Sequence, residues 1–159
     1  MNFRLITVGI ADLQIAAPPD ILRTILGSCV GICLYDKINQ IGGLAHIMLP
    51  RMNDMLSNNK KYANTAIPLL LDEMNKSGAD IKFVTAKLVG GATMFSIAKL
   101  NSNRNIGQMN ITAVKNTLNE LGIKIIAEEL GGESGRTIDF YMDTGMIKIK
   151  SLNKETKMI

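Results

Sequence analysis

Residues 30–49, VGICLYDKINQIGGLAHIML, decide how this chain folds. Val30 to Tyr35 carries apolar residues on both faces and is bounded by Gly27-Ser28 on one side and Asp36-Lys37 on the other. A polar turn around Asn39-Gln40 leads into a second apolar stretch, Ile41 to Leu49, which stops at Pro50. Two apolar runs joined by so short a connection predict an antiparallel hairpin in the core of a sheet.

Downstream of that hairpin, Arg51 to Asn59 is polar and Asn-rich and reads as a surface loop. Ala63, Ala66, Ile67, Leu70, Leu71 and Met74 recur at helical spacing and predict a helix ending near Ser77-Gly78. Pro68 lies inside this pattern, so the helix either kinks or starts near Thr65. Phe83 to Val89 reads as a strand running into Gly90-Gly91. A second helix is expected from Asn110, with Ile111, Val114, Leu118 and Leu121 on one face and Gly122 as its stop. Ile123 to Leu130 is a further strand. Ile138, Phe140 and Met142 then alternate with Asp139, Tyr141 and Asp143, and Ile147 and Ile149 with Lys148 and Lys150, around a Thr144-Gly145 turn. About five or six strands against two helices place the chain in the mixed α/β (α+β type) class with a largely antiparallel sheet.

The 159 residues suit one domain, residues 1–159, with 151–159 as a polar tail. A composition that is 47% hydrophobic and 20% charged is that of a globular protein rather than a disordered one. With no Trp and 4% aromatic residues, the core must be built from Ile, Leu, Val, Ala and the ten Met. The net charge of +4 is scattered, without basic runs or interleaved aromatics, and gives no support to nucleic-acid binding. Lys148, Lys150, Lys154 and Lys157 read as a solvated strand face and tail. Met1 to Ala17 does not resemble a signal peptide, and no apolar run approaches the ~20 residues of a membrane span, so a cytoplasmic protein with reduced thiols and no membrane insertion is expected.

Two Cys and one His fall short of a zinc site unless carboxylates contribute, and Cys29 and Cys33 are too close along one segment for a long-loop disulfide. The more pointed feature is Thr24-Ile25-Leu26-Gly27-Ser28-Cys29, which sets a thiol beside a Gly-Ser turn at the entrance to a buried strand. Backbone N–H groups in such a turn can converge on an oxyanion. A nucleophilic Cys needs a partner that takes its proton, and His46 is the single His in the chain. A hairpin turn centred near residues 37–39 would place Cys29 roughly opposite position 46 or 47 on the neighbouring strand. The alternative is that Cys29 is a small core residue and His46 a satisfied core histidine, since Cys is among the most buried residue types. Cys33, between Ile32 and Leu34, reads as core.

TILGSCVGICLYD followed by GGLAHIMLP resembles the signature of the CheD family, the chemoreceptor glutamine deamidases of bacterial and archaeal chemotaxis. KYANTAIPLLLDEM, KLVGGATMF, NIGQMN and GGESGRTIDFYMDTGMIKIK follow in family order, so the likeness spans about residues 22 to 150. The resemblance implies a three-layer α/β/β sandwich similar to that of toxin glutamine deamidases. It also implies a cysteine hydrolase that converts glutamines of methyl-accepting chemotaxis receptors to glutamate, releasing ammonia. Cys29 would be the nucleophile, His46 its base and later acid, and Thr24 the residue that orients His46. The Gly27-Ser28 turn would offer the N–H groups of Ser28 or Cys29 to the oxyanion. No metal or organic cofactor is required, and a CheC-type phosphatase of the response regulator CheY is an implied partner.

Two rival readings remain at this stage. One is a binding module, with little turnover, that regulates the phosphatase or the receptors; the other is a cysteine protease or transglutaminase, which shares the acyl-enzyme. The pairs Gly90-Gly91 and Gly131-Gly132 are read either as tight turns after strands or as points where a receptor helix comes close, and neither fits a phosphate loop. Met48, Met52 and Met55 lie near the candidate site and are able to form an adaptable surface for a helical substrate.

Overall fold

In the computed structural model, which describes residues 2–52, 58–94 and 105–159, the central hairpin is β4 (Val30–Asp36) and β5 (Ile41–Ile47). Before it come β1 (Leu5–Thr7), β2 (Asp12–Ala16) and β3 (Ile21–Leu26). After it come α1 (Ala63–Lys76), β6 (Val84–Gly90), α2 (Ile106–Glu120), β7 (Lys124–Leu130), β8 (Arg136–Tyr141), β9 (Ile147–Ser151) and β10 (Lys157–Met158). They form two five-stranded sheets, β2-β5-β4-β6-β7 and β1-β3-β8-β9-β10. Both are antiparallel except for the β1–β3 and β6–β7 pairs.

The hairpin behaves as its sequence predicts, and Asp36 explains its turn. The buried Asp36 carboxylate accepts from the backbone N–H of Ile38 at 2.9 Å and of Asn39 at 3.0 Å, and from the N–H of Asp80 at 2.8 Å. These bonds hold its pKa below the ordinary carboxylate value despite burial. The ladder runs from Asp36 opposite Ile41 to Val30 opposite Ile47.

Strand geometry sends alternate side chains to opposite faces, and β4 fills both. Val30, Ile32 and Leu34 enter a core shared with Ala66, Ile67, Leu70 and Met74 of α1 and Ile111, Val114 and Leu118 of α2. Cys33 and Tyr35 enter a second core with Leu22 and Leu26 of β3, Ile138 and Phe140 of β8, and Ile147 and Ile149 of β9. The layers are therefore helices, first sheet, second sheet, the expected α/β/β order. Phe140 is fully buried between the sheets, its ring edge-on to Tyr35 at 6.1 Å, and truncating it to Ala would cost about 3–5 kcal/mol.

Three expectations need correction. The first 26 residues hold three strands that the sequence pattern did not show, because they are short and interrupted by Asp12, Pro18-Pro19 and Asp20. The second helix starts at Ile106, four residues before Asn110, because Asn105 is its cap and accepts from the Gln108 N–H at 3.1 Å. The chain end is more than a tail, since Lys157 and Met158 pair with Ile149 and Lys148. The alternatives left by Pro68 resolve to one continuous helix, Ala63–Lys76, with Pro68 on its exposed side. Part of the Arg51–Asn59 loop, residues 53–57 with Met55, lies outside the described residues.

Candidate active site

His46 sits on β5 with its neighbours Ala45 and Ile47 turned toward the helices, so its imidazole points into the layer between the two sheets. It is 2% exposed. From the second sheet, Thr24 of β3 points into the same layer and brings its Oγ1 within 2.7 Å of His46 Nδ1. Thr24 Oγ1 donates its hydrogen to the carbonyl of Val8 at 2.7 Å. A hydroxyl has one hydrogen, so its bond to His46 must be donated by the imidazole. That places the ring hydrogen on Nδ1 and leaves Nε2 with a free lone pair. The adjacent Arg23 faces the other way, its guanidinium paired with Asp139 at 2.6 and 2.7 Å on the outer face of the sheet.

Cys29 reaches this layer from the turn between β3 and β4. The register sets Gly31 opposite His46 and Val30 opposite Ile47, so the ladder ends one residue short of Cys29, which faces neither 46 nor 47. The loop of residues 37–40 is centred one half-residue later than the sequence suggested, which moves the facing position along. Gly31 is the β4 residue opposite His46, and Cys29 lies two residues before it along the chain, just outside the ladder. Cys29 packs against the same inter-sheet core as Leu26 and Val89.

The turn itself is held by its carbonyls. Ala92 N–H donates to Gly27 O at 3.0 Å, Asn110 Nδ2 to Ser28 O at 3.1 Å, and Gly91 N–H to Cys29 O at 2.8 Å. Among the described residues, no backbone carbonyl accepts from the N–H groups of Gly27 or Ser28, and the Cys29 N–H lies toward its own sulfur. All three carbonyls of the turn are thus tied to other parts of the chain.

The two glycine pairs have internal reasons. Gly90 has φ +115°, and a Cβ there would lie 2.3 Å from Cys29 O. A Cβ on Gly91, at φ +69°, would lie 2.5 Å from Ile111. Gly90 O accepts from Gly131 N–H at 2.9 Å and from the buried Arg136 guanidinium at 3.2 Å, so the strand ends behind Cys29 are cross-braced. Met48 and Met94, 40% and 44% exposed, flank the turn, with Met94 against Gly27.

Burial sets the charge state of the pair. It lowers the His46 pKa to about 4, so the imidazole is neutral at pH 7 and available as a base. It also raises the Cys29 thiol above its ordinary value, opposed weakly by the residue's own N–H, so the sulfur rests protonated. At neutral pH both groups are therefore uncharged, a thiol and a neutral imidazole. Cys33 is wholly buried and pushed much further up, which makes it inert.

A cavity of about 580 Å³ lies between α1 and α2 among Pro68, Met109 and Leu121 and does not include Cys29 or His46. Sequence reasoning missed Arg136 and Asn110. The signal for Asn110 was a polar residue on the apolar stripe of α2, in line with Gly107, Ile111, Val114 and Leu118.

A family model described as CheD chemotactic sensory transduction matches residues 48–151. The probable chemoreceptor glutamine deamidase CheD of Caldanaerobacter subterraneus subsp. tengcongensis is 48% identical over 163 residues, with 100% of both chains covered. The chain belongs to the CheD family. The probable chemoreceptor glutamine deamidase CheD of Clostridium novyi is 46% identical over 162 residues, again across 100% of each chain. The chemoreceptor glutamine deamidase CheD of Halalkalibacterium halodurans is 45% identical over 158 residues, covering 97% of this chain and 98% of its own. The family model begins after Cys29 and His46, whereas the first two CheD relatives align over a span of this chain that covers both positions. No helix among the described residues of this CheD-family chain is long and apolar enough to cross a membrane.

Proposed function

We infer that this chain is a protein-glutamine deamidase that converts glutamine side chains of chemotaxis receptors to glutamate, working on their cytoplasmic portions. The observation that supports it most is a buried neutral imidazole, held through Nδ1 by Thr24, in the same inter-sheet layer into which the Cys29 thiol packs.

Each chemical step has a group to carry it. A receptor glutamine presents its carboxamide to the turn, and Nε2 of His46 takes the Cys29 proton as the sulfur attacks the carbonyl carbon. The oxyanion of the tetrahedral intermediate lies against the amides of Ser28 and Cys29; one such donor is commonly worth ~10²–10³ in rate. His46, now an imidazolium stabilised by its Nδ1–H bond to Thr24, returns the proton to the carboxamide nitrogen. The C–N bond breaks and ammonia leaves. Water, deprotonated by His46, attacks the thioester; the C–S bond breaks, releasing glutamate and restoring the thiol. A substrate presented as a side chain on another protein suits a shallow mouth rimmed by Met48 and Met94, since Met adapts to varied surfaces.

Mass spectrometry of a receptor cytoplasmic fragment incubated with the protein tests this. Conversion of specific glutamines to glutamate is the expected result. A fragment that binds and stays unchanged would instead favour the binding module, with a CheC-type phosphatase as its partner.

A further inference from the structure

Asn110 is fully buried on α2, and both hydrogens of its Nδ2 are spent on backbone carbonyls from separate parts of the chain. One bond goes to Ser28 O at 3.1 Å, next to Cys29, and the other to Met48 O at 3.0 Å, two residues beyond His46. Between these points the hairpin ladder has already ended, its last pair being Val30 with Ile47. Past that pair, the segment carrying the thiol and the segment following the imidazole have no strand pairing to keep them in register. The Asn110 amide spans the gap.

The helix that delivers it is itself fixed. Its cap, Asn105, donates to Thr93 Oγ1 at 2.7 Å, and a Cβ on Gly107 would lie 2.6 Å from the carbonyl oxygens of both Gly91 and Ala92. These same residues, Gly91 and Ala92, donate to Cys29 O and Gly27 O. Meanwhile Asn110 Oδ1 is buried with no hydrogen-bond partner among the described residues. An unpaired buried carbonyl oxygen is destabilising, and Leu in the same apolar stripe would avoid it. A helix built for packing alone would not keep Asn here.

We propose that Asn110 is a positioning residue for the reaction, an amide clamp that fixes the Cys29 turn against the end of the His46 strand. This rests on the deamidase reading for its effect on turnover, but not for its effect on Cys29 itself. It acts through the carbonyls of Ser28 and Met48.

The test uses Asn110→Leu, which keeps the volume and removes both donors, and Asn110→Asp, which keeps the shape. Thr117→Val is the control: Thr117 lies on the same buried face of α2, and its hydroxyl donates within the helix, to Ala113 O at 2.8 Å. Two quantities are read, kcat and KM for receptor-fragment deamidation, and the rate of Cys29 alkylation by iodoacetamide at neutral pH, with thermal unfolding recorded for each variant. A misplacement of about 1 Å costs up to about 100-fold in rate, so both Asn110 variants are expected to lose at least ten-fold in kcat and in alkylation, with KM within two-fold of wild type. Thr117→Val is expected to leave kcat and alkylation within two-fold. If either Asn110 variant folds and keeps both rates within two-fold, or if Thr117→Val loses as much at equal stability, the clamp is refuted. If wild-type protein deamidates nothing, the deamidase reading fails, and the alkylation rates still decide the clamp.

Discussion

Thr24 Oγ1 and His46 Nδ1 lie 2.7 Å apart across two different sheets, a polar contact between the two layers of the sandwich. Because Thr24 passes its own hydrogen to Val8 O, the contact fixes both the rotamer and the tautomer of His46. Thr24→Val keeps the shape and removes the acceptor. Turnover should fall about 10- to 100-fold, the usual scale for losing the group that orients an imidazole, with Thr24→Ser restoring most of it. Steady-state kinetics of the three proteins checks this.

The buried, neutral His46 makes a prediction about acid. In the unfolded chain its imidazole takes up a proton below about pH 6.5; in the folded chain it does so only near 4. Stability is therefore full above about pH 6.5 and is lost as pH falls from there toward 4. Denaturant midpoints measured across this window should slope downward for wild type and flatten in His46→Gln. The same depressed pKa keeps the base unprotonated in mild acid, so kcat should hold nearly level down to about pH 5.

The thiol predicts the opposite limb. Burial raises the Cys29 pKa above its ordinary 9.0, so alkylation by iodoacetamide should be slow at neutral pH and still rising beyond pH 9. Cys33 should remain unmodified in the folded protein. Peptide mapping of the alkylated protein separates the two cysteines.

The inter-sheet site was only partly legible in the sequence. The hairpin from Val30 to Ile47 was readable because a long apolar pattern and an Asp-led turn agree, and it carried His46 into the layer between the sheets. β3 was not readable as a strand, although Leu22, Thr24 and Leu26 all point inward. The polar member of that row, Thr24, is the one that breaks the alternation, and it does so because it serves His46 rather than the core. Asn110 hid in the same way, mistaken for the start of a helix when it is a polar interruption of an apolar stripe. What depends on pairing distant strands, such as Thr24 with His46 across 22 positions, leaves no periodic trace in the chain.

Gly90 offers a backbone test of the same site. A Cβ there would meet Cys29 O at 2.3 Å, and φ +115° is itself strained for any L side chain. Gly90→Ala should cost about 1–3 kcal/mol in stability and displace Cys29, cutting turnover more than the stability loss alone explains. Gly131→Ala, with open space around its Cβ, should share the strain of its φ +79° but leave Cys29 in place. Thermal unfolding and kinetics of the pair distinguish backbone strain from displacement of the nucleophile.

The most direct measurement of the account is deamidation of a receptor fragment by wild type, Cys29→Ala and Cys33→Ala side by side, with the enzyme quenched in acid and mapped for an acyl adduct. The account predicts conversion and a hydroxylamine-sensitive thioester on Cys29 in wild type and Cys33→Ala, and neither in Cys29→Ala. Undiminished conversion by Cys29→Ala would contradict it.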